Sequence, residues 1–154
     1  MIRTLPTFFA FCLMAGAAFA QERDWTLDTS EEDAYLIFGV PESEDVGVSL
    51  WCRIGQGVVN LYLPVPTRLL PKTRDGAAPI IMTAGNEQAT FRGKADVNRD
   101  STLSSIEAEM AVDHPMIAAL KTADRFTVKA DVTEVTFPLY NADIQGLLAL
   151  CRKP

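Results

Sequence analysis

Apolar and polar residues alternate along most of the chain beyond residue 33, and a period of two predicts β-strands. The clearest case is residues 46–54, where Val46, Val48, Leu50, Cys52 and Ile54 interleave with Gly47, Ser49, Trp51 and Arg53. That places Cys52 on the apolar face of a strand. Ahead of it, residues 34–40 form a short apolar run that Pro41 ends, and Glu42 to Asp45 make a solvated turn. Behind it, Gly55-Gln56-Gly57 marks a tight hairpin with Gln56 at its tip, and residues 58–63 return as the partner strand. Prolines 64, 66, 71 and 79 make the next stretch irregular. Pro64 and Pro66 point to an edge strand, because proline donates no ladder bond. A strand resumes at residues 80–83 and breaks at Gly85-Asn86. Phe91, Gly93, Ala95 and Val97 then alternate with polar residues through 90–98, and Ile106, Ala108, Met110 and Val112 do so through 104–112. Arg99-Asp100-Ser101 would turn one into the other. A last hairpin joins 126–128 to 135–137 around Ala130-Asp131.

Two stretches change period. Asp113 is placed to cap, and Pro115 to open, a short helix near 114–122. Ile144, Leu147, Leu148 and Cys151 fall at i, i+3, i+4 and i+7, one stripe of a closing helix. Asn141 is its expected N-cap, Asp143 suits its first turn, and Arg152 and Lys153 suit its end. The whole pattern predicts a mainly β fold: an antiparallel β-sandwich or partly closed barrel, with a short helix near 114–122 and a C-terminal helix.

The first twenty residues follow neither period. Arg3 precedes an apolar run from Leu5 to Ala18, which ends in Ala18-Phe19-Ala20, a small-x-small cleavage pattern. Residues 1–20 therefore read as a signal peptide cut before Gln21. The run is shorter than the roughly twenty apolar residues of a spanning helix. Cys12 follows the bulky Phe11, where a lipidation site would want a small residue. The expected product is residues 21–154, one β-rich domain, periplasmic or secreted, with no stable membrane insertion after cleavage. Cleavage would remove Cys12 and leave Cys52 and Cys151, which are expected to pair in an oxidising compartment. Two free buried thiols are the alternative. With no Cys-x-x-Cys, the pair does not suggest a redox enzyme.

Charge narrows the function. The chain carries 14 basic and 20 acidic residues, a net charge of −6, and the leader removes one of the basic ones. An acidic chain with no dense basic face is a poor nucleic-acid ligand. Asp96, Asn98, Asp100, Thr102, Ser104 and Glu107 match the ligand spacing of an EF-hand loop, in which oxygens at alternate positions wrap a calcium ion. Ser101 stands where that loop wants glycine, and the flanks alternate as strands do, so the competing reading is a polar turn. No cofactor is otherwise expected. His114, the only histidine, reads as a capping or surface residue. The serines include no Gly-x-Ser-x-Gly elbow, and the carboxylates at 31–33 and at 42–45 lie in turn-like runs. An enzyme is not expected. Arg68, Leu69, Leu70, Lys72 and Arg74 form the densest basic stretch, in a proline-stiffened loop suited to a partner in the cell envelope. Against this, the leucines are as well suited to fold back onto the sheet. Trp51 is either a surface anchor or sheet packing.

The last third, Leu120 to Val128, then Phe137-Pro-Leu-Tyr140 and Ile144 to Leu150, resembles the C-terminal part of the invasion-associated locus B family. Those are small exported proteins of Gram-negative bacteria with a β-sandwich-like fold that ends in a helix, a hairpin and a closing helix. This chain has one cysteine pair where that family has more. The resemblance implies a periplasmic accessory or surface-interaction role and carries over no catalytic residue. The expected function is therefore an exported, non-enzymatic binding or accessory protein that recognises a protein or envelope component. The alternatives are an inhibitor of an envelope-targeting hydrolase, such as a lysozyme or protease, and a calcium-binding module.

Overall fold

The computed structural model describes residues 22–70, 76–98 and 100–153. Along these, the strands are β1 (Asp24–Thr29), β2 (Asp33–Gly39), β3 (Val46–Arg53), β4 (Val58–Pro66), β5 (Ile80–Ala84), β6 (Glu87–Phe91), β7 (Gly93–Asp96), β8 (Leu103–Ala111), β9 (Arg125–Ala130) and β10 (Thr133–Pro138). The helices are α1 (Pro115–Leu120) and α2 (Ile144–Cys151), and a single 3-10 turn covers Thr67–Leu69. The strands form a six-stranded sheet in the order β1-β2-β3-β4-β8-β7 and a four-stranded sheet in the order β10-β9-β5-β6, antiparallel throughout. This is a two-sheet sandwich with two short helices. The barrel alternative does not hold, because each sheet keeps its own edges.

Alternation selects the inner faces. Leu36, Val48, Leu50, Leu61, Leu63 and Ile106 point inward from the larger sheet, and Ile80, Met82, Phe126 and Val128 from the smaller one, all fully buried. Four rings bridge the layers. Trp25 of β1 lies 5.3 Å from Phe38 of β2 and 6.4 Å from Phe126 of β9, centroid to centroid. Phe137 of β10 lies 5.9 Å from Phe38 and 5.4 Å from Phe126. The Trp25 Nε1–H donates to the Pro138 carbonyl at 2.7 Å, so the indole meets the other layer with its polar atom satisfied. Strand β1 itself is a finding. With Trp25 and Leu27 its only apolar positions, its alternation is too short to predict a strand.

The C-terminal helix is held at its last turn. Cys151 is bonded to Cys52 of β3, with Cα atoms 5.6 Å apart and both residues fully buried. The hairpin β3–β4 turns through Gly55 and Gly57, both in the left-handed region at φ 74° and 75°. Their amides donate to Leu150 O at 2.9 Å and Cys151 O at 2.8 Å. Carbonyls that end a helix have no partner within it, and here the hairpin tip supplies one.

Several local expectations are corrected. Residues 90–98 are two strands in different sheets, not one, because β6 ends at Phe91 and β7 begins at Gly93. A Cβ at Gly93 would collide with the Ala78 carbonyl, and the Ala78 amide donates to Gly93 O at 2.9 Å, so glycine is what lets the chain change layers there. Helix α1 is capped by His114, not Asp113: His114 Nδ1 accepts from the Met116 amide at 3.1 Å. Helix α2 is capped by Asp143, whose Oδ1 accepts from the Gly146 amide at 2.8 Å, while Asn141 sits two residues earlier at φ 63°. The last hairpin turns at Asp131-Val132, with Ala130 opposite Thr133. Strand β4 is interior, between β3 and β8. The β3–β4 ladder stops at Ser49–Tyr62, however, so Pro64 and Pro66 lie where β8 is the sole neighbour and no second ladder is interrupted. The expected signal peptide lies outside the described residues. Among the described residues no helix is long and apolar enough to cross a membrane.

The bridge closes a loop with a sequence separation of 99. Its loss in Cys52→Ala/Cys151→Ala is expected to lower unfolding free energy by about 2–5 kcal/mol, read from the urea midpoint, and an unchanged midpoint would contradict that. Gly93→Ala is expected to cost about 1–3 kcal/mol or more from overpacking, measured by the same denaturation.

Candidate functional site

The face of the six-stranded sheet turned away from the core carries three of the chain's five tyrosine and tryptophan residues, Tyr35, Trp51 and Tyr62. Register across four strands sets Tyr35 of β2 opposite Trp51 of β3, Trp51 opposite Asn60 of β4, and Asn60 opposite Glu109 of β8. A second row runs beside it, Ile37, Ser49, Tyr62, Glu107 and Lys94. At the end of β2, Asp33 faces Arg53. The Tyr35 and Trp51 rings stack, with centroids 5.9 Å apart and planes 21° from parallel, and both side chains remain partly exposed. Asn60 Nδ2–H donates to the Trp51 carbonyl at 3.4 Å. Asp33, Tyr35, Trp51, Arg53, Asn60 and Glu109, with Gln56 and Val58, line a shallow depression of about 360 Å³.

The chemistry of the face is acidic and aromatic. Its strands turn Asp24, Asp28, Asp33, Asp96, Glu107 and Glu109 outward, against Arg53 and Lys94. Arg53 is engaged with Glu32 at 3.3 Å, and Lys94 stands opposite Glu107. The outer face of the other sheet differs: its outward charges are Arg125, Lys129 and Glu134. Burial raises the pKa of the Tyr35 phenol, and the Asp33 carboxylate beside it raises it further by charge and hydrogen bonding. Ser49 Oγ is buried under the second row and makes no hydrogen bond.

The residues singled out from sequence are dispersed. Trp51 is in the row just described, stacked in the sheet and partly exposed at once. Arg68 is exposed and Leu69 partly exposed, both in the 3-10 turn after β4. Leu70 is buried in the core and is not available to a partner, because the turn closes through its amide to Thr67 O at 3.3 Å and tucks the side chain inward. Lys72 and Arg74 lie outside the described residues. The helix–loop–helix that an EF-hand needs does not form over residues 96–107. The segment is the β7–β8 hairpin, with Asp96 opposite Ser105 and Lys94 opposite Glu107. Its polar groups serve the loop itself. Asn98 Oδ1 accepts from the Asp100 amide at 3.1 Å, Ser104 Oγ accepts from the Asn98 amide at 3.0 Å, and Ser104 Oγ and Thr67 Oγ1 share a hydrogen bond at 2.9 Å. The Thr102 carbonyl accepts from the Thr67 amide at 2.9 Å. Among the described residues no group of three or more His, Cys, Asp or Glu side chains gathers to hold a metal. His114 is occupied as a helix cap, with its ring 5.0 Å from Phe91.

Sequence reasoning overlooked Tyr35, Asn60 and Glu109. Their outward parity was legible, but the register that lines them up with Trp51 was not. No protein-family model, curated protein or solved structure matches this chain.

Because the phenol's folded pKa lies above the ordinary tyrosine value of about 10, the protonated form stabilises the fold below that value, and the contribution is lost as pH rises through the folded pKa. A tyrosinate absorbance titration should show a late phase that Tyr35→Phe removes and Asp33→Asn moves to lower pH. A late phase that survives Tyr35→Phe would assign it to another tyrosine.

Proposed function

We propose that the protein is an exported, non-enzymatic binding domain that recognises a component of the bacterial cell envelope through the outer face of its six-stranded sheet. The observation that carries this reading is the row Tyr35–Trp51–Asn60–Glu109, an aromatic pair flanked by an amide and a carboxylate on a rigid, partly exposed surface. Amphipathic rings of this kind dominate the energetics of protein contacts, because they bury a large area at little conformational cost. The disulfide and the leader-like first twenty residues both fit an oxidising, extracytoplasmic compartment. The resemblance of the last third to a family of small exported accessory proteins points the same way. The order of α1, the β9–β10 hairpin and α2 accords with it.

A second reading, inhibition of an envelope-targeting hydrolase, is favoured by one feature of the same face. Six outward carboxylates against two cations suit the surface of a basic enzyme. In both readings Trp51 is the anchor, and truncating it to alanine is expected to weaken partner binding by about 2 kcal/mol or more.

The test is position-specific crosslinking in living cells. A photoreactive amino acid at position 51 is expected to give a discrete adduct, and one at position 127, on the outer face of the other sheet, is expected to give none. Adducts of equal yield at both positions, or none at 51, would count against this face as the binding surface.

A further inference from the structure

Resting on that binding reading, we infer that the occupant of the face is cationic: a protein segment that presents clustered lysine or arginine side chains to Tyr35, Trp51 and the carboxylates around them. The charge census is the first ground. The two basic side chains on this face are outnumbered by its six carboxylates, and one of them, Arg53, is engaged with Glu32 at 3.3 Å. Among the described residues Glu109 has neither an ion pair nor a hydrogen bond, although it closes the aromatic row. An anionic partner would meet uncompensated carboxylates and be repelled.

The second ground is the aromatic pair. A ring face attracts a cation through its quadrupole, and a guanidinium also stacks flat on it. Tyr35 and Trp51 spend one face each on the other, at 5.9 Å and 21°. What remains suits a compact ammonium or planar guanidinium better than a saccharide ring, which needs a broad open platform. The alkyl stems of such side chains would lie along Val58 and Ile37, both partly exposed on the same surface.

The test uses the full chain as purified from the periplasm, with amide and indole resonances followed during titration. Octalysine, octaarginine, octaglutamate and a neutral chitin oligosaccharide are the probes. Octalysine or octaarginine is expected to shift the Trp51 indole and the amides of Tyr35, Asn60 and Glu109 saturably, and to leave the buried Trp25 indole in place. Apparent affinity should fall by about tenfold between low and high ionic strength. It should fall similarly in Asp33→Asn/Glu109→Gln, and Glu134→Gln on the other sheet should leave it unchanged. A response to octaglutamate or to the saccharide in place of the basic peptides overturns the inference, as does equal sensitivity to Glu134→Gln. Dispersed spectra for every variant guard against misfolding. If position 51 crosslinks in cells and the basic peptides leave the row silent, the cationic occupant is wrong and the binding face stands. If neither responds, both fall.

Discussion

The covalent tie between Cys52 and Cys151 is the constraint on which the rest of the arrangement hangs. It fastens the last turn of α2 to the middle of the larger sheet. The amides of Gly55 and Gly57 complete the attachment by donating to the Leu150 and Cys151 carbonyls at the helix end. The consequence reaches the opposite side of the sheet. Cys52 points inward, so its neighbours Trp51 and Arg53 point outward, and Ala34 facing Cys52 places Tyr35 against Trp51. The same strand parity that turns Cys52 into the core, where the bond forms, therefore turns the aromatic row outward.

The two layers are joined by a different kind of contact. Trp25, Phe38, Phe126 and Phe137 form a tilted aromatic cluster between β1–β2 and β9–β10, remote in sequence and close in space. Such pairs stabilise beyond their buried area by about 0.5–1.5 kcal/mol each. The Trp25-to-Pro138 hydrogen bond adds direction to a contact that area alone would leave free to slide. The disulfide sets the position of the closing helix, and this cluster sets how the sheets face one another.

Much of this architecture was legible because a period of two is a local signal. The strand that carries Cys52, the hairpin at residues 55–57 and the apolar stripe of the last helix needed only neighbouring residues to be read. What escaped depended on partners far along the chain. β1 has two apolar positions, and it is a strand because β2 offers it a ladder and Phe126 a ring. The break at Gly93 looked like a continuing alternation, and only the Ala78 carbonyl pressed against it reveals a change of layer. The caps were misplaced by one or two residues because Asp113 and His114, or Asn141 and Asp143, are equally good on composition, and backbone geometry decides between them. For the site, Trp51 could be named from the sequence but its row could not. Tyr35, Asn60 and Glu109 are separated from it by hairpins whose register sets which side chains meet.

The two faces of the larger sheet answer to different demands. Along β2, β3, β4 and β8 every second residue belongs to the core and is fixed by packing, so exchanging it costs stability. The residues between them touch solvent, and their identity is free of that demand. Yet on the larger sheet they are aromatic and acidic, and on the smaller one Thr83, Thr127 and Thr136 line up with Arg125 and Lys129. Solvation alone would be met equally well by the same mixture on both sides. A face that leaves the Tyr35 and Trp51 rings partly exposed keeps apolar ring area in water that the fold does not require. The proposal of recognition rests on that asymmetry, because a partner that covers the rings and meets the carboxylates with positive charge would take that area out of water.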